Sequence, residues 1–168
     1  MNKSIFLLAF LVITLLANQS FCQNSTQNLN QVELMKQFVG IWNAKAGTDT
    51  LIIWECTSFG PSIEFVIKNE VKGVESIKGK TFMGYDVKSG KLLEAIILKN
   101  SPNIMLAPCW FTSPKTCEQI QNDDISHPET ARWKWSIEFK TADLFILKET
   151  LNNKISFIRT FSKQKNKT

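Results

Sequence analysis

The feature that most constrains the fold is a period-two alternation of apolar and polar side chains that recurs along most of the chain. The clearest example alternates four large apolar residues with polar or charged neighbours: Trp133, Trp135, Ile137 and Phe139. Successive side chains of a β-strand point to opposite faces, so the pattern predicts strands with one buried face. Similar segments occur at residues 50–56, 63–67, 81–86, 91–98, 104–107, 144–150 and 155–161.

These segments predict an all-β fold. About eight or nine short, regularly spaced strands indicate an antiparallel meander, and closure into a barrel removes its exposed edges. Before the strands, four apolar residues recur at helical spacing, and Asn28 or Asn30 can cap that helix. The apolar residues are Val32, Leu34, Met35 and Phe38. We therefore expect an antiparallel β-barrel of about 8–9 strands with a short N-terminal helix.

The N-terminal region has the pattern of a secretory signal. Residues 5–17 are apolar except for Thr14 and follow Lys3. A run of this length is typical of a signal peptide and is shorter than the ~20 residues of a transmembrane helix. We expect cleavage after Cys22, with small Ser20 three positions before the cut. The predicted segments are a signal peptide (1–22), a polar stretch (23–30), the barrel (31–162) and a basic tail (163–168).

Export to the periplasm or the extracellular space follows from this signal, and no transmembrane span is predicted. A lipoprotein, anchored through Cys22 as its first mature residue, is the less favoured alternative. Bacterial lipoprotein signals have a glycine or alanine before that cysteine, and this chain has Phe21.

Composition and charge exclude two classes of protein. With 43% hydrophobic residues the chain can build a packed core, which excludes intrinsic disorder. The net charge of +5 depends on lysines near the two ends, because residues 23–162 contain 16 basic and 15 acidic side chains. No concentrated basic face is predicted, so we do not expect a nucleic-acid partner.

Residues 108–128 have no clear alternation and are predicted to form one long irregular loop. The loop contains Cys109 and Cys117, and an exported chain meets an oxidising compartment. We therefore expect a Cys109–Cys117 disulfide, with Cys56 left as a buried free thiol on its strand.

No catalytic or metal-binding constellation is predicted. His127 is the only histidine, and no serine lies in a nucleophile-elbow motif. The acidic residues Asp123, Asp124 and Glu129 near His127 offer metal ligands in principle. Without a second histidine or regular spacing, an exposed acidic loop is the simpler interpretation. We expect no enzyme activity, no metal and no cofactor.

The aromatic alternation also suggests a ligand pocket. A barrel of about eight strands encloses either a side-chain core or one small ligand, and large aromatic residues favour the filled core. If a pocket exists, we expect it at the open end of the barrel, bordered by residues 108–128. Its predicted lining is aromatic: Trp54, Phe65, Trp133, Trp135 and Phe139.

Two short motifs resemble a known family. Gly40-Ile41-Trp42 directly follows the predicted helix and resembles the G-x-W that opens the first strand of lipocalins. A mid-chain Gly84-Tyr85-Asp86 precedes a predicted hairpin turn. Helix, G-x-W and G-Y-D together resemble the lipocalin-like bacterial family called domain of unknown function fifteen-seventy-nine, over residues 31–161. The resemblance implies a lipocalin-like barrel in an exported bacterial protein and transfers no catalytic residues.

The same resemblance implies a structural pair. In lipocalins an arginine on the last strand stacks over the tryptophan of G-x-W, and Arg159 lies on the last predicted strand. We therefore expect Trp42 and Arg159 to pack together at the closed end of the barrel.

The function expected from the sequence is non-enzymatic binding of a small apolar or amphipathic molecule inside the barrel. One alternative is a solid barrel that acts as an envelope or interaction protein. A third is a barrel enzyme of cyclase or isomerase type, which a buried acid lining a wet pocket would favour. The sequence does not identify the ligand, the partner proteins or the oligomeric state.

Overall fold

The chain forms a closed antiparallel barrel of ten strands, as seen in a computed structural model that describes residues 29–165. The predicted signal peptide, most of the polar stretch and the end of the basic tail lie outside the described residues. A short helix and one 3-10 turn precede the barrel: α1 (Gln31–Met35) and Lys36–Phe38. The strands are β1 (Gly40–Lys45), β2 (Thr50–Phe59), β3 (Ser62–Val71), β4 (Val74–Asp86), β5 (Lys91–Leu98), β6 (Ile104–Ser113), β7 (Thr116–Ile120), β8 (Trp133–Thr141), β9 (Leu144–Leu151) and β10 (Lys154–Lys163).

Every strand pairs with its neighbours in sequence, and β10 returns to pair with β1. The closing contact is short, with Trp42 opposite Lys163 and Asn43 opposite Ser162. Closure leaves neither β1 nor β10 as a free edge in the described sheet, which removes a template for aggregation. The predicted fold class is confirmed, with one or two strands more than expected.

The additional strand lies in the segment predicted to be a long irregular loop, and that prediction is wrong. β6 continues to Ser113, the chain turns at residues 114–115, and β7 follows. Pro108 does not interrupt β6, because β7 pairs with β6 only from Cys109 onward and leaves that edge free. The irregular part is the stretch from Gln121 to Arg132, with 3-10 turns at Asn122–Asp124 and Pro128–Thr130.

Helix α1 is fixed to the barrel by side-chain hydrogen bonds. The Asn30 side chain accepts a hydrogen bond from the Glu33 amide at 3.2 Å, which confirms one of the two predicted N-caps. The amide group of Gln31 bonds in both directions with the Phe111 backbone of β6: Nε2 donates to the carbonyl at 3.2 Å, and Oε1 accepts from the amide at 2.7 Å. The helix therefore lies across one end of the barrel at a fixed position.

The end of the barrel under the helix is filled with aromatic rings. Phe38 enters the barrel and its ring centroid lies 5.1 Å from that of Phe139 and 5.9 Å from that of Phe65. Trp42 is fully buried, and its indole nitrogen donates to the Phe38 carbonyl at 2.7 Å. Its ring lies 4.8 Å from that of Phe145. These rings make the closed end solid.

The cation over Trp42 is Lys163, and the predicted Trp42–Arg159 pair is wrong. Lys163 is the Cα partner of Trp42, and its ammonium lies 5.1 Å from the indole centroid. Arg159 lies four residues earlier on β10, opposite Leu147, which is about 13 Å along a strand. Its guanidinium instead lies 4.1 Å from the centroid of the Phe157 ring. Lys163, which we assigned to the tail, belongs to the barrel.

Gly40 makes room for this lysine. Its backbone has φ +136°, and a Cβ added there would lie 2.2 Å from Lys163 Cε. Gly47 also has a positive φ, +106°, but a Cβ there would meet nothing within 4 Å. Glycine is thus required at this position of the G-x-W motif for two reasons: the positive φ of the backbone and the close approach of the Lys163 side chain, which lies over Trp42.

We expect Gly40→Ala to destabilise the barrel more than Gly47→Ala. Both changes add backbone strain of about 1–2 kcal/mol, but only Gly40→Ala displaces Lys163 from Trp42, a further loss of about 0.5–1 kcal/mol. Urea unfolding of both variants measures the difference. Repeating the pair in a Lys163→Ala background should remove the excess, because coupled residues are non-additive. If Gly40→Ala destabilises more than Gly47→Ala by the same amount in both backgrounds, Gly40 and Lys163 do not interact.

Candidate functional site

The other half of the barrel encloses a cavity of ≈ 280 Å³. Its floor includes Phe38, and its wall is mostly aromatic and aliphatic. The aromatic wall residues are Trp54, Phe65, Trp133 and Trp135, and the aliphatic ones are Ile67, Ile96, Leu98, Met105 and Ile137, with Met83 beside them. The barrel is therefore solid at one end and hollow at the other.

Four of the five predicted pocket residues line this cavity, and Phe139 does not. Trp54, Phe65, Trp133 and Trp135 are all in its wall. Phe139 is 3% exposed and packs against Phe38 in the solid end. The inward alternation of β8 continues past the cavity into the core, so alternation alone cannot separate a lining residue from a core residue.

The cavity approaches the surface between two loops. A surface depression shares four lining residues with it: Ile96, Leu98, Met105 and Gln121. The depression extends to the β5–β6 loop and to the Asn122–Asp124 turn. The expected border, residues 108–128, is thus only partly correct. Residues 121–123 of it line the depression, whereas residues 108–120 belong to β6, β7 and the turn between them.

One wall is held in place by a shared carboxylate. The indole nitrogens of Trp133 and Trp135 both donate to Glu149 Oε2, at 3.0 and 2.8 Å. Burial acts to raise the pKa of Glu149, but these hydrogen bonds, one from Ser156 and the charge of Arg159 together lower it. Trp135 also stacks on Trp54, with centroids 5.9 Å apart. The hydrogen bonds to Glu149 therefore fix the orientation of both indoles at the cavity.

Four polar side chains lie in the otherwise apolar wall: Gln121, which is exposed at the depression, and three buried ones that sequence reasoning missed. Glu94 is 8% exposed, Gln119 3% and Thr81 0%. Gln119 Nε2 donates a short hydrogen bond to Glu94 Oε2. The side chains come from β5 and β7, and they meet across β6 at Ala107, the small residue directly opposite Glu94. Ala107 is fully buried and leaves the space in which the two polar groups meet.

A signal for Glu94 was present in the sequence. Leu92, Glu94 and Ile96 occupy alternate positions of one strand, so an inward-facing strand must place Glu94 inside the barrel. Burial raises the pKa of Glu94, although Thr81 and Gln119 nearby oppose the shift. The Thr81 hydroxyl lies close enough to act on that carboxyl but makes no hydrogen bond of normal geometry within residues 29–165. The cavity thus contains a carboxyl group whose protonated form is favoured by its burial.

The predicted Cys109–Cys117 disulfide is not formed. Cys56, Cys109 and Cys117 are all free and buried, as expected for Cys56 alone. Cys109 lies opposite Gln119 and Cys117 opposite Phe111, so the two cysteines do not face each other directly across the β6–β7 pair. The nearby Cys117 thiol and burial raise the pKa of Cys109, and burial raises that of Cys56 to about 12. Thiols held protonated in this way are poor nucleophiles.

The acidic loop is exposed and offers no metal cage. His127 Nδ1 lies 3.7 Å from Glu129 Oε1, with both side chains mostly in solvent. Among residues 29–165, no group of three or more His, Cys, Asp or Glu side chains could hold a metal ion. Within the same residues, no helix has the length and apolar character needed to cross a membrane.

A comparison with protein-family models finds no match for this chain, and neither does a comparison with curated proteins.

We expect the stability of the protein to depend on the protonation of Glu94. Because burial raises its pKa, the folded chain holds this proton where an unfolded chain, with an ordinary value of 4.5, loses it. The stability contributed by the proton is full below that value and is lost as pH rises through the folded pKa. Glu94→Gln cannot ionise, so its unfolding free energy should rise relative to wild type as pH increases. Urea unfolding of both proteins across acidic to alkaline pH measures this difference, and a difference that stays constant or falls would contradict the assignment.

Proposed function

We propose that this chain is an exported lipocalin-like protein that binds a small apolar or amphipathic molecule in the hollow half of its barrel. The observation that carries the proposal is the cavity of ≈ 280 Å³ with a predominantly aromatic and aliphatic wall. Ligand sites are typically concave, apolar and supplied with a few convergent polar groups, with volumes from about 300 Å³ upward. This cavity is close to the lower end of that range and suits a small ligand.

The closed end supports the resemblance to lipocalin-like proteins. Gly40-Ile41-Trp42 opens β1, the indole plugs the barrel, and a cation of the last strand lies over it. Membership in the lipocalin-like bacterial family named above and export to the periplasm or extracellular space are part of this proposal. They rest on the sequence motifs and on the N-terminal apolar run. N-terminal sequencing of the mature protein tests the export.

The cavity argues against the solid-barrel alternative. A barrel that acts only through its outer surface requires no internal cavity, whereas this barrel has one that adjoins a surface depression. The aromatic rings do fill the end under α1, as the sequence suggested. Beyond Phe38 the aromatic rings lie in the wall and leave the space between them unfilled.

A filled-cavity variant tests the binding proposal. Ile96 is 6% exposed and lines the cavity, whereas its neighbour Ile97 is 44% exposed on the outer face. We expect wild type to bind the neutral fluorescent probe N-phenyl-1-naphthylamine, Ile96→Trp to lose that binding, and the control Ile97→Trp to retain it. Fluorescence titration measures all three.

The melting temperature of the same variants separates a hollow barrel from a solid one. In a solid barrel, the larger side chain of Ile96→Trp would cost about 1–3 kcal/mol of stability through overpacking. In a hollow barrel it fills space, so the variant should melt at or above the wild-type temperature. Probe binding that survives in Ile96→Trp would place the ligand elsewhere and contradict the proposal.

A second candidate function is favoured by Glu94 alone. A carboxyl group whose pKa is raised by burial in an apolar site is suited to general acid–base chemistry, as in an isomerase. The simplest reaction of this type exchanges a proton on the carbon atom next to a carbonyl group. If it operates, 2-octanone in D₂O should gain deuterium faster with wild type than with Glu94→Gln, as followed by NMR. Equal rates for the two proteins would leave binding as the function.

A further inference from the structure

We infer that the cavity selects its ligand by a neutral oxygen-bearing headgroup, a hydroxyl or a carbonyl, seated at Glu94, Gln119 and Thr81, and that it rejects a free carboxylate. This inference rests on the proposed binding function. It goes beyond that function by specifying the chemical class of the headgroup and the residues that receive it.

The three buried polar side chains form one cluster in the otherwise apolar wall. Glu94, Gln119 and Thr81 all line the cavity, and each is more than nine-tenths buried. Gln119 Nε2 donates to one carboxyl oxygen of Glu94, which fixes the position of both side chains. Thr81 Oγ1 is buried near the Glu94 carboxyl but makes no hydrogen bond of normal geometry within residues 29–165. A buried hydroxyl without a normal hydrogen bond is unfavourable, and a ligand oxygen placed beside it would give it a partner.

The charges around the cavity decide between headgroups. Among the described residues that line it, none is a lysine, arginine or histidine. A carboxylate ligand would therefore be buried without a positive partner and next to Glu94. A buried unpaired charge is strongly unfavourable, whereas a neutral hydroxyl or carbonyl needs only hydrogen bonds.

The protonation of Glu94 gives the same preference. Burial raises the pKa of Glu94, and the protonated carboxyl has an O–H that can donate. Thr81 can donate and accept, so the cluster can bond to a carbonyl oxygen or to both the hydrogen and the oxygen of an alcohol. A hydrocarbon tail would then lie against Trp54, Phe65 and Trp135, which share the cavity.

The test compares ligands that share one tail and differ only in their headgroup. 1-Octanol, 2-octanone, octanoate and octylamine are used at neutral pH to displace N-phenyl-1-naphthylamine from the full mature protein. We expect octanol and octanone to displace the probe at concentrations about tenfold or more below that of octanoate, because one lost buried hydrogen-bonding match is worth about that factor. Octylamine should be weaker than octanol.

Two variants connect this preference to the cluster. Thr81→Val keeps the side-chain shape and removes the hydroxyl, and Glu94→Leu removes the carboxyl. In each variant the ratio of octanol to octanoate affinity, measured against the same probe and corrected for that variant's own probe affinity, should fall severalfold. Glu64→Leu is the matched control, because Glu64 faces outward and pairs with Lys80 at 3.2 Å. Its preference should equal that of wild type. Should Glu94→Leu fail to fold, Thr81→Val alone still decides the outcome.

The results that overturn the inference differ from those that overturn the proposed function. Octanoate binding as tightly as octanol would show that the cavity tolerates a charge and would overturn the headgroup inference alone. Octylamine binding most tightly would overturn it too, since Glu94 would then act as a counter-ion. A wild-type protein that binds neither the probe nor any octyl compound would remove the binding function and the inference together.

Discussion

The interior of this barrel depends on the insertion of Phe38. Its ring contacts Phe65, Phe111, Phe139 and Phe145 within the closed end, with centroid distances of 5.1 to 6.2 Å. Aromatic contacts of this kind add to the burial of apolar area. The same ring is the floor of the cavity, so one residue divides the barrel into a packed half and a hollow half. The helix, the Gln31 bonds and the Trp42 indole bond all serve to hold it there.

Two carboxyl groups of the hollow half, Glu149 and Glu94, have pKa values that are shifted in opposite directions. Glu149 receives two indole hydrogen bonds and lies near Arg159, so its pKa is lowered in spite of its partial burial. The side chains of residues 29–165 that act on the pKa of Glu94 are the neutral Thr81 and Gln119, and burial raises that pKa. The first carboxylate orients the aromatic wall, and the second offers a hydrogen-bonding group to whatever enters. Glu149 thus acts on the cavity through two of its wall indoles, whereas Glu94 lines the cavity itself, and their surroundings set the opposite pKa shifts.

Alternation predicted the fold because each strand has one face inside the barrel and one outside. It failed in residues 108–120, where Pro108 and the turn after Ser113 hid the alternation of Cys109 and Phe111 with their neighbours. Four wall aromatics could be predicted for the same reason as the strands, but Phe139 could not be separated from them without the position of Phe38. Lys163 and the meeting of Glu94 with Gln119 across Ala107 depend on register between strands, which one sequence does not specify.

Every role assigned to the interior requires that the barrel be hollow beyond Phe38 and that an apolar molecule can occupy this space. The most direct measurement is a crystal of the mature protein placed under xenon pressure, because xenon binds in apolar internal cavities. We expect xenon density bounded by Trp54, Trp135 and Ile96, with those side chains unmoved. A barrel without xenon density, in which the indoles of Trp133 and Trp135 fill the interior, would contradict it.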